Sequence, residues 1–90
     1  MQTKERRAYY YVKIEDYDNG NIKNVINYKD GVLHGDQIYY YDNGKIETKT
    51  PFLNGIKHGV AEMYFDNGEI EKHYFIHDKK VSKKEFQNAN

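Results

Sequence analysis

The chain has no cysteine, no tryptophan, one proline and one serine in 90 residues. Without cysteine there are no disulfides, no thiolate metal sites and no thiol nucleophile, a pattern that fits a reducing compartment. No stretch approaches ~18 consecutive apolar residues, and the opening MQTKERRAYYYVKIED lacks the apolar segment of a signal peptide. The expectation is a soluble, cytoplasmic protein with no membrane partner. Net charge is also missing. Fourteen basic and fourteen acidic side chains cancel, so no global field steers the chain toward phosphate. The ends are basic and residues 15–47 acidic, which reads as solvated ends around an acidic middle.

What the chain does have is tyrosine, ten of them, and glycine behind asparagine. That aromatic content argues against disorder. At this size a chain buries only ~60–65% of its unfolded surface, so one domain with a thin core is expected. YDNG occurs at 17–20 and 41–44 and FDNG at 65–68, a spacing of 24 residues, with Ile22, Ile46 and Ile70 in phase. Tyr28, Phe52 and Ile76 occupy a further matched position. Asp30-Gly31 aligns with Asn54-Gly55, and His34-Gly35 with His58-Gly59, whereas the third copy has Asp78-Lys79 and Ser82-Lys83. A terminal copy that drifts is typical of a capped array.

Asn-Gly between alternating hydrophobic runs predicts a hairpin with a two-residue type I′ turn. Six antiparallel strands follow, at about 8–17, 21–28, 36–41, 45–53, 59–65 and 69–76, joined as a meander. With Asn43-Gly44 as the loop, Tyr41 opposes Ile46 and Tyr39 opposes Thr48. One sheet face then collects Tyr11, Tyr28, Tyr39, Phe52, Met63, Phe65, Ile70 and Tyr74 as the thin core. The other carries Tyr10, Val12, Ile14, Ile38, Tyr40, Val60, Tyr64 and Phe75 among charges. Ser82 with Glu85 has capping-box spacing and predicts a short closing helix.

The unit Y-D-N-G-x-I … D-G-x-x-H-G, spanning residues 9 to 76, resembles the MORN repeat in its bacterial and phage variant. The resemblance implies an elongated, twisted, single-layer sheet of stacked hairpins. It also implies binding to proteins, sometimes lipids, and for some bacterial members a role as antitoxin components. The fold class expected is therefore all-β: a single-layer antiparallel meander of three 24-residue hairpin repeats. As one domain over 1–90, its repeats fall at about 12–35, 36–59 and 60–83, with a helical cap at 82–90.

Reactive groups are few. His34 and His58 are equivalent loop positions without recurring partner ligands, and His73 and His77 would lie ~13 Å apart along a strand; no metal is expected. Ser82 is the only serine and reads as a helix cap. Asp18, Asp42 and Asp66 read as turn residues. Every glycine joins strand to strand, so no phosphate-cradling loop opens a helix. The chain reads as no enzyme, with no cofactor. Tyrosines on a sheet can stack bases, but the tyrosine-bearing middle is acidic, which disfavours nucleic acid. Lysines 79, 80, 83 and 84 cluster at one end, yet overall neutrality opposes lipid headgroups as it opposes nucleic acid.

The remaining candidate is the second sheet face, with Tyr10, Val12, Ile14, Ile38, Tyr40, Val60, Tyr64 and Phe75 as partner-binding residues: an aromatic stripe rimmed by charge. The expectation is a non-catalytic module that binds another protein, as an inhibitor or an antitoxin or phage-type effector. The alternative is sequestration of a small anionic ligand such as a nucleotide. A homodimer is expected, because the first strand is a long, aromatic and weakly protected edge.

Overall fold

A computed structural model describes residues 7–89; residues 1–6 of the expected domain and Asn90 of the expected cap lie outside the described residues. Period-2 alternation of aromatic and β-branched residues with polar ones builds six long strands. These are β1 (Tyr10–Asp16), β2 (Ile22–Lys29), β4 (Gly35–Tyr40), β5 (Ile46–Leu53), β7 (Gly59–Tyr64) and β8 (Ile70–Ile76). Two short ones, β3 (Val32–Leu33) and β6 (Ile56–Lys57), form between the strands expected from sequence, a third, β9 (Lys79–Val81), follows the last of them, and α1 spans Lys83–Asn88. All pairings are antiparallel within one open sheet, in the order β1-β2-β4-β5-β7-β8-β9, with β3 on β2 and β6 on β5. The chain measures 60 × 40 × 14 Å, the thickness of a single layer. The only buried apolar residue among those described is Ala61, so the tyrosine face is no closed core.

The Asn-Gly turns differ from the two-residue type expected. Tyr41 N–H donates to Lys45 O at 2.8 Å, and Gly44 N–H to Tyr41 O at 3.0 Å. The loop is therefore three residues long, a type I turn ending in Gly44 at φ 91°, where a glycine bulge needs a left-handed backbone. The reason lies in the asparagine. Asn43 Oδ1 accepts Lys45 N–H, and Asn19 and Asn67 do the same for Asn21 and Glu69. This local bond holds the asparagine at negative φ. Type I′ turns, with both central residues at positive φ, occur instead at the opposite end of the sheet: Asp30-Gly31, Asn54-Gly55 and His77-Asp78.

In the first two hairpins a second irregularity follows at once, between Glu15/Asp16 and between Tyr39/Tyr40. It restores the expected pairing of Tyr39 with Thr48. The third hairpin lacks it and runs without a shift from Tyr64↔Ile70 to Gly59↔Phe75. Its return strand is thus one residue ahead of the 24-residue period. Phe75, not Ile76, takes the place of Tyr28 and Phe52, and His77-Asp78 takes the turn. A one-residue slip exchanges sheet faces. Phe75 consequently moves to the face of Tyr28 and Phe52, and Ile70 and Tyr74 move to the other, reversing the faces expected from sequence.

Side chain to backbone bonds join one hairpin to the next. The Tyr17 hydroxyl donates to Tyr40 O at 2.6 Å, and the Tyr41 hydroxyl to Tyr64 O at 2.7 Å. Phe65, the third residue of this series, has no following hairpin to reach. At the other sheet end, His34 Nδ1 accepts Asn54 N–H and His58 Nδ1 accepts His77 N–H. Ser82 caps α1, its hydroxyl accepting Glu85 N–H as the spacing predicts, and Phe86 packs on Tyr74 at 5.5 Å. Replacing Tyr41 by Phe should cost about 1 kcal/mol, read as a fall in Tm of about 4–8 °C. A Tm unchanged in Tyr41→Phe would show that this rung contributes nothing.

Candidate interaction surface

Register assigns every strand residue to a face. The front carries Tyr11, Ile26, Tyr28, Tyr39, Phe52, Met63, His73 and Phe75; the rear carries Tyr10, Val12, Ile14, Ile38, Tyr40, Val60, Tyr64 and Tyr74. Seven of the eight residues expected to bind a partner therefore share the rear face, and Phe75 stands apart on the front.

The rear face is apolar mainly at its β1 margin, where Tyr10, Val12 and Ile14 are exposed. Its centre is charged. Lys49 pairs with Asp36 at 3.7 Å and lies opposite Glu62, which lies opposite Lys72. The Tyr64 hydroxyl donates to Glu62 at 3.0 Å. This bond, then desolvation, raises the phenol above its ordinary range. The Tyr41 phenol is also raised, first by desolvation and then by Glu47 and Asp66, so both hydroxyls remain donors at neutral pH. Beyond the charged centre, Phe86 covers Tyr74.

On the front, aromatic residues converge without a cover among the described residues. Tyr11 stacks on Tyr28, with ring centroids 4.8 Å apart. Gly35 lies opposite Phe52 and Gly59 opposite Phe75. A hollow of about 360 Å³ lies among Ile26, Tyr28, Tyr39, Phe52, Gln37 and Lys57. A second, of about 230 Å³, lies among Thr48, Ala61, Met63, His73 and Phe75. Thr50 and Lys57 line both, making one trough across the sheet. The Lys57 ammonium sits 5.1 Å from the centre of the Phe75 ring, within cation–π range. At the far side of the second hollow, His73 Nε2 lies 2.9 Å from Glu71 Oε1, but its direction does not make a hydrogen bond.

The sequence pattern places Tyr28, Tyr39 and Phe52 in a core and gives Lys57 no role; the structure puts all four around the open front hollows. The legible signal for the trough was the recurrence of Tyr28 and Phe52 at one period, which Phe75 joins only once the third unit is realigned. No group of three or more potential metal ligands occurs among the described residues. Among them, no helix is long and apolar enough to cross a membrane.

No curated protein and no solved structure matches the chain. The family described as MORN repeat variant matches it twice, over residues 33–54 and 57–78. Each matched segment begins inside a short strand, β3 or β6, and runs through one hairpin to the next type I′ turn. Residues 9–30 lie outside both segments yet fold as the same hairpin, with the same glycine-bulge turn and the same closing type I′ turn. MORN repeats are binding modules rather than catalytic ones, and with two matched units in a sheet of repeated hairpins, this chain belongs to the MORN repeat variant family.

Proposed function

We propose that this chain is a non-catalytic module that binds another protein through the aromatic trough on the front of its sheet. The observation that carries this reading is the open trough itself: Tyr28, Tyr39, Phe52, Met63 and Phe75 border linked hollows that none of the described elements covers. A concave aromatic strip with a few polar groups offers the pockets in which interface anchors concentrate binding energy. So small a binder acts by occupying its partner's surface, as an inhibitor or neutraliser of the antitoxin or phage-effector kind.

The test is comparative capture from the native host. Tyr39→Ser with Phe52→Ser should reduce recovery of the partner about tenfold or more, the effect of losing ~1.4 kcal/mol. Lys72→Ala, on the charged rear, should leave recovery unchanged. Equal recovery by the trough variant and the parent, with strand circular dichroism retained in both, would remove the trough from the binding surface.

Lys57, shared by both hollows, favours a second reading in which the trough sequesters a small anionic ligand such as a nucleotide. A thermal-shift screen with nucleotides and inorganic phosphate distinguishes the two. A ligand at 100 times its Kd stabilises by about 2.7 kcal/mol, and a flat screen leaves the protein partner.

A further inference from the structure

The sheet ends at β1 in an edge that the described residues leave unpaired, and the direction of its hydrogen-bonding groups follows from its neighbour. Asp30 N–H donates to Tyr9 O, and Tyr9 N–H to Asp30 Oδ1, so the groups of Tyr9, and by alternation those of Tyr11 and Lys13, point toward β2. The partner of Val12 confirms the phase. Asn27 uses its own N–H and C=O on the far side of β2, with Gln37 and His34. The groups of Tyr10, Val12 and Ile14 therefore point outward. The same three residues present side chains to the rear face, 62%, 51% and 57% exposed respectively.

We infer that β1 pairs with β1 of a second copy of this chain, antiparallel, about a two-fold axis at Val12. Four axes lie near the middle of the strand, and the one at Ile14 needs Asp16, beyond the register shift at Glu15/Asp16, to pair with Val12. An axis at Lys13 places two lysines directly opposite each other, which is destabilising. An axis at Tyr11 restricts the overlap of the two strands to residues 10–12. The axis at Val12 overlaps residues 10–14, opposes Tyr10 to Ile14 and Val12 to Val12 on the rear, and satisfies the outward groups of all three. On the front it opposes Lys13 to Tyr11 and Glu15 to Tyr9, so no like charges meet. The other end of the sheet is less suited. β9 pairs only with Tyr74–Ile76 of β8, and the free half of β8 interleaves Glu71 and Lys72, charges that protect an edge.

Sedimentation at tens of micromolar protein should give twice the 10.7 kDa chain mass. Val12→Pro removes only an outward N–H, which an edge strand tolerates, and should give a monomer with strand circular dichroism intact. Val12→Lys should do the same without altering the backbone. Because the chain has no cysteine, Val12→Cys reports the axis: oxidation should link it into a dimer, while Tyr10→Cys and Ile14→Cys, each facing the other position, should link far more slowly. A wild-type protein that stays monomeric, a dimer unaffected by Val12→Lys, or equal cross-linking at all three positions would overturn the inference.

Discussion

Gly59→Ala should be among the most damaging single substitutions in this chain. A Cβ at this position would stand 2.9 Å from Pro51 Cγ and 3.4 Å from Pro51 Cβ, on a backbone held at φ +124°. The proline ring cannot rotate out of the way as a flexible side chain would. Strain in the backbone and the clash act together, for a loss of about 3 kcal/mol or more. Gly35 is the equivalent residue one unit earlier, at φ +94°, but an added Cβ there meets Asn27 Cβ at 3.6 Å, ordinary contact. Gly35→Ala should therefore carry only the backbone strain, on the order of 1–2 kcal/mol. Urea melts of the two variants measure the difference, and equal losses would mean that the proline contact contributes nothing.

Gln37→Ala should cost on the order of 2 kcal/mol, and the second unit explains why the third does without this glutamine. Gln37 is buried, 4% exposed, and its amide acts as a surrogate peptide where β2 and β4 separate. Its Oε1 accepts Asn27 N–H at 2.7 Å, and its Nε2 donates to Asn27 O and Gly35 O. Removing it strands a backbone donor away from water. One period later the positions of Asn27 and Gln37 are held by Pro51 and Ala61. Proline has no N–H to satisfy, so alanine suffices. The carbonyl is served alike in both units, by His34 N–H on Asn27 and by His58 N–H on Pro51. Asn27→Pro added to Gln37→Ala should accordingly recover about 1 kcal/mol, a coupling within the usual range for residues in contact. A double variant no more stable than Gln37→Ala alone would sink this account.

Much of the architecture was legible because the 24-residue period, the alternation within strands and the Ser82–Glu85 cap are each local patterns with one physical reading. The turn was not, since Asn-Gly serves both a type I′ turn and a type I turn with a glycine bulge. What decides is the Asn43 side chain bonding Lys45 N–H, a choice between two conformations of similar cost. The slip in the third unit was hidden for a different reason. FDNG and Ile70 keep the sequence period through the turn, so the shortened return strand shows only at Phe75 and at His77-Asp78. Face assignments in β8 depend on that single residue, and with them the trough. Its rings read as a core in sequence because alternation shows which residues share a face, but not whether anything covers them.

The hydroxyl rungs from Tyr17 to Tyr40 and from Tyr41 to Tyr64 point one way along the array, and so give it a grammar of continuation and stop. A unit with tyrosine at this position is written to be followed. The third unit carries Phe65, loses a residue from its return strand, and at Ser82, where a further strand would start, opens a helix instead. Array length is thus specified in the last unit and left free in the middle one. Duplicating residues 33–56 in tandem would repeat every rung and lengthen the trough by one hollow, whereas copying the third unit would end the sheet twice.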